Sequence, residues 1–468
     1  MKKRNGLIAA VMSSVLVLAA CGGSSAGSAT TKAAGSVTTR AAAATTAKAS
    51  AAATTKAAAT STTAAKAAAG KQVITIWYEG GDARLPFFKS VEAAMQKDYP
   101  NYSINAVTFD NNTFMTKVLQ AATATGGVDL AFNDASRLLS IDLQSGSGFE
   151  DLSSILDGDA KKSLVTDGDK KLSSDNGRLV VYPVNRTIAG LGVKTDVPGV
   201  SVTADTKPTT WDKFIALGKA YKAAGKNGFT MILGSDQGQV FNLFMCGSGM
   251  QDIFLNKTPE SRVAANKKYF EEIAAVYAGA DGFWDKDATS EDFTAMYSKI
   301  TSGSVGMFRA GNWNVAGWDK ADSGAGAYDV MTWPALENDG KSGLVLLNTR
   351  GFAMPKNSQN KDAARVFLKY ALQKDPQTKS FETMGSCLDN SVVDQSKLTK
   401  NQKIFFDPNV KLYPIDNYAA EIPYFNDIND VYQKGLTKAV SAKTPEEISK
   451  AIADTDADIN KVIKQNKK

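Results

Sequence analysis

The chain has 468 residues, enough for two or three domains. Its formal net charge of +6 is confined to the start: residues 1–70 hold eight Lys/Arg and no acid, leaving 46 Lys/Arg against 48 Asp/Glu from residue 71 onward. A near-neutral globular part excludes an electrostatic footprint for nucleic acid. The complete lack of histidine excludes Ser-His-Asp and Cys-His machinery and His-containing zinc sites.

Lys2, Lys3 and Arg4 form a cationic start, and Leu7–Ala20 is an apolar run broken only by Ser13 and Ser14. The run has the length of a signal-peptide core and is short for a span of about 30 Å of hydrocarbon. Small residues at 19 and 20 precede Cys21 and Gly22-Gly23, which resembles the bacterial lipobox. That resemblance implies cleavage after residue 20 and lipidation of Cys21 as the first residue of the mature chain. Residues 22–70 are Ala, Thr, Ser, Gly and Lys with a single Arg40, Val37 is the only large apolar residue, and the stretch cannot build a core. As a flexible coil they reach roughly 35–40 Å.

The folded part begins at Gln72. Val73–Tyr78 predicts a buried strand, and Glu79-Gly80-Gly81-Asp82 a turn. Pro86 opens a helix with Phe87, Phe88, Val91, Ala94 and Met95 on one face. A strand over 103–109, a helix carrying Phe114, Val118, Leu119 and Ala122, and a strand over 128–132 follow. This β-α-β-α-β succession predicts a parallel sheet whose ligands gather at the strand C-termini. Further strands are expected at 179–184, extended onward through 190–193, and at 229–233, 304–308, 328–333 and 343–354. Helices are expected from 209 or 210, near 238–246, and at 261–278, 290–301 and 362–372. Gly311-Asn312-Trp313 opens another. Thr444-Pro445-Glu446-Glu447 begins a C-terminal helix with proline at its first position and carboxylates near its positive end. Two α/β lobes accommodate these elements.

Several pieces, in this order and spacing, resemble the extracellular solute-binding proteins of carbohydrate ABC importers, the maltose-binding-protein-like family. They are Ile74-Thr75-Ile76-Trp77, Gly126–Ala131, Gly148–Leu152, Tyr182-Pro183, Pro208–Asp212, Gly303–Trp313, and Gly351–Met354 ahead of Lys356-Asn357-Ser358. The resemblance spans nearly all of 72–468. It implies an α/β, two-lobe, periplasmic-binding-protein-like fold with hinge strands and an interlobe ligand cleft. Signal peptide 1–20 and tether 21–71 then precede lobe one, 72–184 plus 334–386, and lobe two, 185–333 plus 387–468. The implied partners are a mono- or oligosaccharide, the transmembrane subunits of an ABC permease, and the membrane through the lipid on Cys21. The chain is expected to be a monomer on the outer face of a cell without an outer membrane. Family members often carry Tyr-Tyr-Asn after the first hinge, where this chain reads Leu191-Gly192-Val193-Lys194.

A pyranose offers an apolar C–H face and a rim of hydroxyls, so its site needs flat aromatics beside Asp, Asn, Glu and Arg groups. Trp313 follows a strand and a glycine, and is read as a stacking surface or a core residue. Tyr78 and Glu79 end the first strand, with Trp77 turned to the other face as core. Asp134 and Arg137 follow the third strand, Asp134 being equally readable as a helix cap. Asp110 belongs to a turn-like Asp110-Asn111-Asn112. Asn185 and Arg186 lie in the first hinge, Trp284 reads as cleft wall or loop anchor, and Asn312 and Arg350 complete the polar set. Cys246 and Cys387 either pair or are two buried small hydrophobes. The Asp-Gly-Asp pairs at 157–159 and 167–169 lack the further ligands of a calcium loop, and no phosphate-cradling glycine loop occurs, so neither metal nor cofactor is expected. A surface glycoside hydrolase using two carboxylates, or the same fold holding a non-sugar solute, is the alternative.

Overall fold

The computed structural model describes residues 70–124, 126–233, 259–279, 281–320, 322–335, 341–414 and 425–466. Cys21, the tether, Cys246 and the helix expected at 238–246 lie outside the described residues.

The N-terminal half follows the predicted alternation. Strand β1 (Gln72–Glu79), helix α1 (Leu85–Gln96), β2 (Tyr102–Phe109), α2 (Asn111–Thr123), β3 (Leu130–Asp134) and α3 (Ala135–Gln144) succeed one another. β1 pairs in parallel with β2, Gln72 opposite Tyr102, and with β3, Ile76 opposite Leu130. Its β-branched residues suit a strand covered on both faces. Ile74, Ile76 and Tyr78 pack into a core with Phe87 and Phe88 of α1, while Trp77 meets Phe109 edge-on at 5.4 Å on the opposite face.

The second half is threaded through the first. Its strands are β4 (Tyr182–Lys194), β5 (Asn227–Thr230), β6 (Val305–Gly311), β7 (Tyr328–Met331), β8 (Leu344–Ala353) and β9 (Leu412–Pro414). Its helices are α4 (Trp211–Ala223), α5 (Pro259–Ala278), α6 (Phe293–Thr301), α7 (Asn312–Trp318), α8 (Lys361–Ala371), α9 (Lys374–Met384), α10 (Phe425–Ser441) and α11 (Pro445–Asn466). The two extended pieces expected at 179–184 and 190–193 form one 13-residue strand, β4, preceded by a short ladder at Arg178–Leu179. Asn185-Arg186-Thr187 is where the strand passes from one core, with Tyr182 and Val184, to the other, with Ala189, Leu191 and Val193.

Among the described residues the main sheet has nine strands in the order β2-β1-β3-β8-β4-β6-β5, with β9 added to β8 and β7 to β4. β8 runs antiparallel to β3 and to β4, and β4 antiparallel to β6 and β7. β4 and β8 thus belong to both lobes, and their mutual pairing is irregular between Leu346 and Asn348 and between Arg350 and Gly351. On one side of this crossing lies the core of Phe87, Phe132, Phe352 and Phe367. On the other lies a core of Trp211, Phe214, Phe229, Trp284 and Tyr432, which takes in the C-terminal helices and also Val345 and Leu347 of β8. The chain has the two-lobe α/β fold with hinge strands between the lobes. α11 starts as its sequence predicts, with the Glu447 amide donating to Thr444 Oγ1 at 3.2 Å.

Candidate functional site

The C-terminal ends of β1 and β3 stop at the cleft between the lobes, and the chain turns there with charged residues. β1 delivers Glu79 and then Gly80, whose φ of +92° reverses the strand. A Cβ at Gly80 would lie 1.9 Å from Arg84 Nη1, so glycine is required for the guanidinium to fold over the turn. Arg84 donates to the Glu79 carbonyl oxygen and lies 3.4 Å from its carboxylate. β3 ends at Asp134, with Arg137 one turn into α3. The antiparallel register of β8 sets Arg350 directly opposite Asp134, and Arg350 Nε donates to Asp134 Oδ1. Asn185 and Thr187 of β4, Thr383 and Met384 at the end of α9, and Ser386 just beyond it form the floor.

The facing wall comes from the other lobe: Phe293 and Tyr297 of α6, Arg309 of β6 and Trp313 of α7. The ring of Trp313 lies over Gly311, where a Cβ would come within 2.4 Å of the indole. Trp313 Nε1 donates to Tyr297 Oη at 3.3 Å, and Arg309 Nη2 donates to the same oxygen at 2.9 Å. The Arg309 guanidinium also sits over the Phe293 ring at 4.6 Å and the Trp313 ring at 5.3 Å. The enclosed volume is about 370 Å³, in the range of small-molecule sites.

Burial alone would push the Asp134 carboxyl up, but the charges of Arg350, Arg137 and Arg84 outweigh it and hold the group below the usual carboxylate range. Burial, reinforced by the neighbouring Arg350 charge, lowers Arg84 to about 10 against the pull of Glu79 and Asp134. Two buried polar atoms at the floor, Asn185 Oδ1 and Ser386 Oγ, have no protein hydrogen-bond partner among the described residues.

Of the residues singled out from the sequence, Glu79, Asp134, Arg137, Asn185, Trp313 and Arg350 come together in this cleft. Tyr78 does not: it is 2 % exposed in the first core, edge-on to Phe88 at 5.1 Å, because the helix layer covers the face onto which it alternates. Trp284 is 1 % exposed, with its Nε1 donating to the Met231 carbonyl in the second core. Asp110 caps α2 by accepting from the Thr113 amide at 2.9 Å. Arg186 points to the opposite face of β4, where Nε donates to Asp169 Oδ1 at 2.8 Å. Asn312 staples α7 to β4, donating to the Arg186 carbonyl and accepting from the Ile188 amide, both at 3.2 Å. Arg186 and Asn312 line a second cavity, about 340 Å³, behind the crossing. Cys387 is buried with a free thiol, and burial, then Asp389, pushes that thiol up to about 12.

Arg84, Phe293, Tyr297 and Arg309 complete the cleft without having been anticipated. Arg309 carried a usable signal, since it is a lone charge inside Val305-Gly-Met-Phe-Arg-Ala-Gly, and a charge in an apolar strand needs a reason to be there. Among the described residues no His, Cys, Asp or Glu cluster is arranged to hold a metal ion, and no helix is long and apolar enough to cross a membrane.

The maltose-bound T. maritima MalE3 has this fold with a TM-score of 0.66 at 18 % identity, covering 83 % of this chain and 99 % of its own. A solute-binding protein from Thermotoga lettingae, solved with α-D-tagatose, also scores 0.66 at 18 % identity, over 84 % of this chain and 100 % of that one. The maltotriose-bound Thermus thermophilus maltotriose-binding protein scores 0.64 at 17 % identity, over 83 % and 100 %. No curated protein matches the sequence. Residues 86–378, from the start of α1 to the middle of α9, match the family described as bacterial extracellular solute-binding protein. That span contains most of the cleft wall and both shared strands, and the chain belongs to this family of bacterial extracellular solute-binding proteins.

Proposed function

We propose that the protein captures a mono- or oligosaccharide in the interlobe cleft and delivers it to the transmembrane subunits of an ABC importer. The observation that carries this reading is the floor of the cleft, where Asn185 Oδ1 and Ser386 Oγ are buried without protein partners among the described residues. Orphaned buried polar atoms are costly unless something else satisfies them, and a ligand rich in hydroxyls does so. The half-buried Trp313 on the opposite wall supplies the flat apolar face that a sugar ring needs. The sugars bound by the structural neighbours support the same assignment. Lobe one is taken as 72–184 plus 334–386 and lobe two as 185–333 plus 387–468. Closure then follows from a ligand that touches both lobes only in the closed state and so stabilises it.

The charges support capture over hydrolysis. A glycosidase needs one carboxyl with a raised pKa as general acid, whereas Asp134 is held below its ordinary value and Glu79 is engaged by Arg84. The anchor is proposed from the N-terminal sequence: cleavage after residue 20, diacylation of Cys21 and a flexible tether to residue 71 hold the receptor close to its permease. Labelled palmitate incorporated by the wild type and lost in Cys21→Ala supports the anchor, and equal labelling of both removes it. For the receptor, mass spectrometry of ligand carried through purification, followed by calorimetry with a broad sugar panel, is the direct test. No bound sugar and no heat with any member of the panel would sink the assignment.

A further inference from the structure

The floor of the cleft is built from neighbouring positions of the two shared strands, and a break in their pairing sets which side chains it shows. β4 alternates regularly: Asn185 and Thr187 line the cleft, Arg186 and Ile188 the cavity behind it. β8 does not. Leu346 lines the rear cavity and Asn348 the cleft, although residues two apart share a face of an undisturbed strand. The register shift between them, with Leu346 opposite Ile188 and Asn348 opposite Thr187, turns Asn348 to the front.

Each asparagine has one end of its amide committed. Asn185 Nδ2 donates to Met384 Sδ at 3.5 Å, and a thioether only accepts, so Oδ1 is the end left over. That oxygen has no protein partner among the described residues. Asn348 is held the other way round. Its Oδ1 accepts from Ser136 Oγ at 3.1 Å and from the Ser136 amide at 3.5 Å. Its Nδ2 makes no protein hydrogen bond among the described residues. Asn348 pairs with Thr187, two residues from Asn185, so the two side chains sit on a diagonal of about 7–8 Å between backbones. The floor thus offers one acceptor and one donor. A hydroxyl answers both, since it donates once and accepts twice. A carboxylate or phosphate only accepts and opposes Asn185 Oδ1; an ammonium only donates and opposes Asn348 Nδ2.

On the sugar-receptor reading above, we propose that Asn185 and Asn348 are the specificity-determining pair of the cleft and that the preferred ligand is a neutral sugar. One of its hydroxyls donates to Asn185 Oδ1 and accepts from Asn348 Nδ2. An acidic or amino group in its place is rejected. Asn185 Oδ1 is closed off from water in this structure, and the hydroxyl reaches it by turning aside the unbranched Met384 side chain, which lines the same cleft.

The test is calorimetry on the full-length protein, first with neutral mono- and disaccharides, among them glucose, galactose, mannose, maltose and lactose. The monodeoxyfluoro and monoamino analogues of whichever binds follow. Fluorine has nearly the size of a hydroxyl and cannot donate. At one position both analogues should bind at least about tenfold more weakly than the parent, because one leaves a buried acceptor unpaired and the other opposes two donors. Asn185→Leu should bring the parent and its fluoro analogue at that position to similar affinity. It should not lower the melting temperature, because an orphaned acceptor contributes nothing to the ligand-free fold. Asn348→Asp keeps the oxygen that Ser136 holds and replaces the donor by an acceptor. There the amino analogue should gain at least about tenfold relative to the parent, a readout that stands even if Asn185→Leu fails to fold. A fluoro penalty unchanged in folded Asn185→Leu, no gain for the amino analogue in Asn348→Asp, or no such position overturns the pair and leaves the receptor standing. Glucuronate or galacturonate bound more tightly than glucose or galactose overturns it as well. If no neutral sugar binds, the sugar reading falls together with this one.

Discussion

The change Asp169→Asn probes the hinge without touching the cleft. Asp169 is 1 % exposed and accepts from Arg186 through both Nε and Nη2, from Thr349 Oγ1 at 3.1 Å and from the Thr166 amide at 2.9 Å. It therefore ties a short helix of the first lobe, Asp167–Leu172, to the two strands that join the lobes. Asparagine keeps the shape, removes the charge and turns a donor towards groups that are already donors. Removing one partner of a buried ion pair costs about 3–5 kcal/mol. The Arg186 side chain retains 16 % exposure, so some water replaces the lost partner and the lower end, about 3 kcal/mol, applies. For a folded unit of about 400 residues the unfolding entropy is about 0.8 kcal/mol/K, which converts that loss into a fall of about 4 °C in melting temperature.

The same residue fixes the pH dependence of the effect. Burial would raise the Asp169 carboxyl, but the hydrogen bond and charge of Arg186 and the bonds from Thr166 outweigh it, and the group is held below its ordinary value. A carboxylate depressed in the folded state contributes stability above its unfolded pKa, about 3.9, and loses it as pH falls through the folded value. The gap between wild type and Asp169→Asn should therefore be full at neutral pH and narrow progressively below about pH 4. Scanning calorimetry across this range decides the matter. A loss under about 1 °C at neutral pH, or a gap no narrower at about pH 3, refutes the account.

Trp313→Ala should weaken sugar binding by about tenfold or more, the equivalent of 1.4 kcal/mol, with only a small change in melting temperature because the ring is half-buried. Gly311→Ala should mimic it, since the new Cβ displaces the indole that now lies 2.4 Å from that position; affinity unchanged from wild type would count against the stacking role. Asp110→Ala should cost about 1 kcal/mol through the lost cap of α2 and leave ligand affinity untouched, which chemical denaturation and calorimetry together check.

Much of the fold was legible because its signals are periodic. The apolar run of β1 and the helical spacing in α1, α2 and α11 placed those elements to within a few residues. The site was legible only in part, because position along a strand does not say which side of the sheet faces ligand. Tyr78 and Glu79 are adjacent in sequence, yet one enters the core and the other the cleft. Trp284, between Phe283 and Asp285, reads as cleft wall or loop anchor, and its indole fills the core behind β5. Arg84 was hidden in a turn whose only visible property was its glycines. Tyr297 and Phe293 lie on a helix, expected at 290–301, to which the sequence attaches no role. Their role depends on α6 being laid across the cleft by β6, a relation between elements that no local pattern encodes.

The placement of β8 has a further consequence, for the order of assembly. Arg350 and Asp134 pair across a separation of 216 residues, so β3 stands at a bare edge until that late strand has been synthesised. An exposed edge strand is a template for wrong partners, and contacts this distant in sequence form slowly because their loop must close first. The first lobe is thus begun early and sealed late. A nascent chain built this way stays open over most of its synthesis, and β3 is an exposed edge for all of that time.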